Sequence, residues 1–222
     1  VAEVQSTLAQ QGRRFSFSSE PGTEQRVIEE FQFFNREVRR ANEVQLLGLL
    51  RTSHFDRFWN QPFELQTGTV RFRYGQTLTY LWSGKELGRS MMQGVEYDVL
   101  AGRGEVIAAN DGLVLFIESL GVYGRTIAVD HGLGLVSLYG HMDQVRVQRG
   151  ARVVRGQPLG TAERNWFGSG FRVYTELRLH GKQVDPIEWA DRTWYALNVT
   201  ARINDLRRQL RLPVFDPILS QR

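Results

Sequence analysis

The stretch YGRTIAVDHGLGLVSLYGHM, residues 123–142, reads as two short runs parted by Gly132 and Gly134, the second ending at His141. In residues 135–140 apolar side chains alternate with smaller ones. That is the pattern of a buried strand, whose successive side chains point to opposite faces. The glycines supply the tight turn between the two runs. His141 follows Tyr139 and Gly140, a placement that looks like one piece of a catalytic site.

The same grammar continues on both sides. TVRFRYG (69–75), TLTYLWSGK (77–85), GEVIAANDGLVLFIESLG (104–121), QVRVQRGARVVRGQPLGTA (144–162) and FRVYTELRLHG (171–181) are short alternating runs punctuated by glycine. Several strands at regular spacing with glycine turns predict a mainly β barrel or sandwich over residues 66–190. Residues 1–65 read as a polar arm followed by a helical segment. Phe31, Phe34 and Val38 fall at helical spacing between Thr23 and about Leu50. A second short helix is expected over TSHFDRFW (52–59), with Ser53 as its cap, His54 as a helix-start polar residue, and Phe55, Phe58 and Trp59 packing inward. Residues 191–222 read as a C-terminal helix with a tail, its stripe being Trp194, Leu197, Ile203, Leu206 and Leu210.

Composition narrows the function. The 222 residues hold no cysteine, which excludes thiolate metal sites and thiol catalysis. A net charge of +4 with scattered arginines lacks the clustered basic stripe of a nucleic-acid binder, so no nucleic acid is expected. No apolar run is long enough to span a bilayer, so no transmembrane segment is expected. The N-terminus has no signal-peptide core, which places the chain in the cytosol or its leader outside this sequence.

Four pieces, in order, carry a resemblance: GVEYDVLAGRGEVIAANDGLVLF, YGRTIAVDHGLGLVSLYGHM, VQRGARVVRGQPLG and LRLHGKQVDPIEW. Over about 120 residues the chain resembles the LytM/lysostaphin-type zinc endopeptidases, which cut peptide cross-links in bacterial peptidoglycan. FFNREVRRANE and FDRFWNQPF resemble the extra segment that some Gram-negative members carry ahead of the domain. The resemblance implies a LytM-type β-sandwich or barrel-sandwich hybrid core with flanking N- and C-terminal helices. It also implies a zinc site built from an H-x-x-x-D element and an H-x-H element.

Those positions are altered here. Met92 and Glu96 stand at the H-x-x-x-D positions, and Arg172 and Tyr174 stand at the H-x-H positions. A thioether, a guanidinium and a phenol are poor zinc ligands, and arginine is no base at neutral pH. His141 takes the place of the second catalytic histidine. The resemblance therefore implies a degenerate, catalytically inactive member with its zinc lost. Such a pseudoenzyme would sit in the periplasm or cell envelope as a binding or regulatory module for peptidoglycan remodelling, for example activating an amidase in cell division. Its partner would be a cell-wall hydrolase, another envelope or divisome protein, or peptidoglycan itself.

Alternation along 171–179 puts Phe171, Val173, Thr175, Leu177 and Leu179 on one side as core. Arg172, Tyr174, Glu176 and Arg178 fall on the other, the groove side. The expected binding face comprises Glu96, His141, Arg172, Tyr174 and Glu176, with Trp166 and Phe167 as apolar contacts or core packing. Across the vacant site Arg172 is expected to pair with Glu96, and Tyr174 to bond into the same network. Plainer readings stand beside these. His141 is a retained structural histidine or a ligand contact, His131 and His180 are turn residues, Glu176 and Arg178 form a solvated strand face, and Met91 and Met92 pack. Three rival functions remain: a zinc endopeptidase with a rearranged site of Glu96, Asp98, His141 and His180; a structural subunit of an envelope complex; and a biotinyl or lipoyl carrier built on Lys85 or Lys182.

Overall fold

The structure, a computed structural model, describes residues 18–99, 104–164 and 170–214. The described residues open with a long helix in three continuous parts: α1 (Glu24–Gln32), a π-helical segment (Phe33–Val38) and α2 (Arg39–Leu49). Thr23 caps it, its hydroxyl accepting from the Arg26 amide. Among the described residues thirteen strands follow: β1 (Thr69–Phe72), β2 (Thr77–Trp82), β3 (Lys85–Met91), β4 (Val95–Val99), β5 (Glu105–Ile107), β6 (Gly112–Ser119), β7 (Arg125–Gly132), β8 (Leu135–Gly140), β9 (Met142–Val145), β10 (Arg152–Val153), β11 (Pro158–Ala162), β12 (Phe171–Leu179) and β13 (Lys182–Val184). The chain then turns helical: α3 (Pro186–Ala190), α4 (Arg192–Tyr195), a π-helical segment (Ala196–Thr200) and α5 (Ala201–Gln209).

The strands form one large antiparallel sheet, in order β1-β4-β12-β8-β7-β6-β10 with β13 beside β12. A three-stranded sheet, β5-β11-β9, and a separate hairpin, β2-β3, complete the set. The fold is thus mainly β with a helix at each end, as the sequence predicts. The β7–β8 turn carries Leu133 and Gly134 at φ of 53° and 77°, both left-handed, the twist that closes a two-residue hairpin.

Val95, Tyr97, Val106, Ile127, Leu159 and Val173 fill the core between the two larger sheets. The opposite face of the large sheet is also covered, which is why all of β8 is buried. There Leu46 of α2 packs on Phe116, Leu120, Val136 and Leu138. Val122 donates its amide to the Asn42 side chain, fastening the helix to the loop before β7.

Three expectations about the flanks need correction. The π-helical segment puts one extra residue into a turn, so Phe33 is buried and Phe34 half-exposed, against the stripe read from uniform helical spacing. A second π-helical segment does the same near the C-terminus. Tyr195 and Val199 pack, with Ile203 partly buried, whereas Leu197, Leu206 and Leu210 face outward. Residues 52–59 form no helix. Asp130 holds that segment extended instead: its carboxylate accepts from the Ser53 hydroxyl (2.7 Å), the His54 amide (2.8 Å) and the Gly132 amide, with the His54 ring at 2.8 Å. Ser53 therefore caps nothing, Phe55 is 95% exposed, and Trp59 packs on Trp189 and Phe63.

Candidate functional site

A groove of about 480 Å³ runs across β1, β4 and β12 beneath the β2–β3 hairpin. Its register follows from the ladders: Tyr174 lies opposite Glu96, and Arg172 opposite Asp98. Met92, Glu96, His141, Arg172 and Tyr174 all reach this groove. Arg39, Arg71, Tyr80, Gln93 and Tyr123 also line it, and sequence reading did not single them out. Trp166 and Phe167 lie outside the described residues.

His141 leaves β8 at φ 58°, its amide donating to the Tyr123 carbonyl and its carbonyl accepting from the Glu163 amide. The backbone thus fixes the ring at one end of the groove. Arg172 Nη2 sits 3.4 Å from His141 Nδ1 and 3.3 Å from Nε2. Burial, and then the Arg172 charge, push the imidazole down to about 4, so it is neutral at pH 7. Glu163 comes only within 3.9 Å of the ring.

Arg172 is turned to His141 and makes no ion pair with Glu96, contrary to expectation. Arg71 of β1 is the nearer cation, 3.7 Å from Glu96, and it also reaches Asp98 at 3.4 Å. Burial raises the Glu96 carboxyl, partly offset by the charges of Arg172 and Arg71. Tyr174 does not bond toward Glu96 either. Its hydroxyl donates to Glu176 at 2.6 Å, beneath the groove floor.

Glu176 and Arg178 are not a solvated face, and Glu176 does not line the groove. They are 1% and 0% exposed and bonded to each other. Arg178 reaches on to Glu43 of α2 with a two-pronged grip at 2.7 and 2.8 Å. Helix α2 roofs this part of the sheet, which alternation within a single strand cannot reveal. Glu43, Arg178, Glu176 and Tyr174 thus form one polar chain from the helix to the groove floor. Burial raises the Glu176 carboxyl, and the Arg178 charge opposes that rise.

The other histidines lie elsewhere. His131 is a fully buried β7 residue rather than a turn residue, bonded to the Asp111 carbonyl and the Ser137 hydroxyl, both at 2.7 Å. His180 does occupy a turn, and it lines a different cavity with His54. Glu96, Asp98, His141 and His180 therefore do not converge.

Zinc in a catalytic site takes three protein ligands and a water. The residues here do not fit it. Met92 offers a thioether, the Tyr174 hydroxyl is committed to Glu176, and Arg172 brings a permanent cation to the ring of His141. Among the described residues no three His, Cys, Asp or Glu side chains gather to hold a metal.

Residues 90–186 match the model of Peptidase family M23. Over 94 residues the chain is 32% identical to Lipoprotein NlpD of Yersinia enterocolitica, covering 96% of that protein and 41% of its own length. The chain belongs to peptidase family M23. The chain is also similar to the Murein hydrolase activator EnvC of Escherichia coli K12, at 31% identity over 134 residues, or 60% of its length. The chain spans 29% of that activator's length, and 18% and 32% of the two curated relatives after it. A crystal structure of a candidate peptidase M23 from Pseudomonas aeruginosa superposes with a TM-score of 0.50. It covers 81% of this chain and 67% of that one at 21% identity, a likeness of fold alone. No helix among the described residues is long and apolar enough to cross a membrane.

Proposed function

We propose that this M23 domain is a non-catalytic module of the bacterial periplasm or envelope whose groove binds and regulates a cell-wall hydrolase. The observation that carries the reading is the placement of Arg172. Its guanidinium stands against a neutral His141, where the resemblance puts a pair of catalytic histidines. A metal-activated water needs ligands and a base, and a fixed cation supplies neither. What persists is a formed cleft with polar groups along it, the kind of surface that takes up an extended or helical segment. The similarity to a murein hydrolase activator supports the regulatory role, and the family resemblance implies an amidase acting in cell division as the partner.

The test uses dye-labelled peptidoglycan, the purified protein and an amidase from the same envelope. The expected result is no release by the protein alone, stimulated release with the amidase, and loss of stimulation on Arg172→Glu with the melting temperature kept. Release by the protein alone that a chelator abolishes would overturn the reading in favour of a hydrolase.

A further inference from the structure

The β2–β3 hairpin stands apart from both larger sheets, so each of its strands has one edge unpaired within the sheets. The outer edge of β3 is covered by the N-terminal helix. Asn35 donates to the Arg89 carbonyl, and the ring of Phe31 lies so close to Gly88 that a Cβ there would sit 2.9 Å from it. The edge of β2 has no such cover among the described residues. Its position over the groove follows from which residues line that groove. Thr77, Leu78, Thr79 and Tyr80 do so in unbroken succession. Ser90 and Met91 of β3, opposite Leu78 and Thr77, line it too, so the hairpin roofs the groove with both strands and the unpaired edge of β2 borders it.

This edge is also undefended. Exposed edges are ordinarily blunted by charge, by proline or by a bulge. TLTYLW has no charged residue and no proline, and its one irregularity falls between Tyr80 and Leu81, toward the tip. The hairpin is held firmly in place. Tyr80 packs its ring, tilted, against Phe31 at 5.0 Å, its hydroxyl lies 3.0 Å from Ser90 Oγ, and Lys85 pairs with Glu24 of α1.

Beneath the edge the groove is cationic. Among the described residues Arg39, Arg71 and Arg172 line it against one carboxylate, that of Glu96. Among the described residues Arg172 has the His141 ring as its side-chain partner, and Arg39 has Asn35 and the Tyr80 hydroxyl. Neither guanidinium bonds a carboxylate among the described residues.

Resting on the binding role proposed above, we infer that the groove takes an extended, acidic segment of the partner protein, which adds to β2 as a third strand. The segment's backbone completes the ladder along Thr77–Tyr80, about 14 Å of strand. Every second side chain then points down toward Arg71 and Arg172, so carboxylates belong at alternate positions. A second copy of this chain is the poorer occupant, because it would bring the same arginines to the same groove.

The test begins with a random heptapeptide display library selected on the purified protein. Selected peptides are expected to carry Asp or Glu at alternating positions. A synthetic copy N-methylated at alternate residues, in either of the two phases, loses at least tenfold in affinity for one phase and little for the other. Arg172→Gln costs the unmodified peptide at least tenfold, and amide exchange in Thr77–Tyr80 slows when it binds. Any of four results overturns the inference: no acidic enrichment; an i, i+3, i+4 apolar pattern marking a helix; equal tolerance of both methylation phases; or a protein that dimerises through β2 and takes no peptide. The hydrolase assay runs beside it. Stimulation that persists while the peptide arm fails removes strand addition and leaves the regulatory role. Peptides that bind as described while no hydrolase is stimulated remove the regulatory role and leave strand addition.

Discussion

Glu43→Gln tests whether the long helix is bound to the sheet by charge or only by packing. Glu43 grips Arg178 with both carboxylate oxygens, at 2.7 and 2.8 Å, and Arg178 is wholly buried. The amide keeps one acceptor and turns an NH₂ toward the guanidinium, so one charge-assisted hydrogen bond is lost. Such bonds contribute about 1.5–3 kcal/mol each. Loss of a whole partner from a buried pair costs about 3–5 kcal/mol. Two facts reduce that here: Arg178 keeps Glu176 and the Gly181 carbonyl, and Glu43 is one-third exposed, so water replaces part of what it gave. The expected loss is about 2 kcal/mol, from the lower part of the single-bond range. For a domain of this size that lowers the melting temperature by about 4–8 °C. Thermal unfolding followed by circular dichroism reads it directly. Glu24→Gln, which removes a surface pair with Lys85, is the control and should cost less than about 1 kcal/mol. If both variants melt together within 2 °C (about 1 kcal/mol or less), the Glu43–Arg178 pair does not hold the helix down.

Tyr174→Phe removes the donor to the buried Glu176 oxygen and should cost about 1–3 kcal/mol in urea unfolding; a change under 0.5 kcal/mol, about the scatter of a neutral surface substitution, would contradict it. Gly132→Ala should cost well over 2 kcal/mol, because its Cβ would lie 1.7 Å from the Asp56 carbonyl oxygen. Gly150→Ala has the same left-handed backbone but open space, so it should cost only about 1–2 kcal/mol, and equal losses would refute the contact argument. His131 and His141 are both held down to about 4, so the unfolded chain, with histidines near 6.5, binds the extra protons as pH falls. Their contribution to stability is therefore full above pH 6.5, declines between 6.5 and 4, and levels off below. For the fully buried His131 the decline amounts to about 3 kcal/mol. Imidazole resonances of either residue that titrate near pH 6.5 in the folded protein would refute this.

The β-core was legible because glycine turns and alternation are local signals, and the ladders lie where those runs do. The groove was partly legible. Glu96, His141, Arg172 and Tyr174 do share it, because strand parity is a local property too. What each side chain does there was not. Arg71 takes the role expected of Arg172 because β1 pairs with β4, a neighbour that nothing local to β4 announces. Glu176 and Arg178 looked solvated because polar residues on one strand face ordinarily are. Only the helix some 130 residues earlier, with Glu43 on its underside, makes them interior. Residues 52–59 failed as a helix because Asp130, distant in sequence, supplies better partners for Ser53 and the His54 amide than a first helical turn would. The π-helical segments shifted two apolar stripes that uniform periodicity could not place.

Tyr174 ties the cleft to the packing of the helix. At the position the resemblance gives to a zinc-binding histidine, the phenol hydroxyl is the partner of a buried carboxylate that also anchors Arg178 and, through it, Glu43. Whatever replaces the phenol must still present a donor to Glu176, or a buried carboxylate loses a bond and the hold on the helix is weakened with it. At this position the lining of the cleft and the anchorage of the helix cannot vary independently.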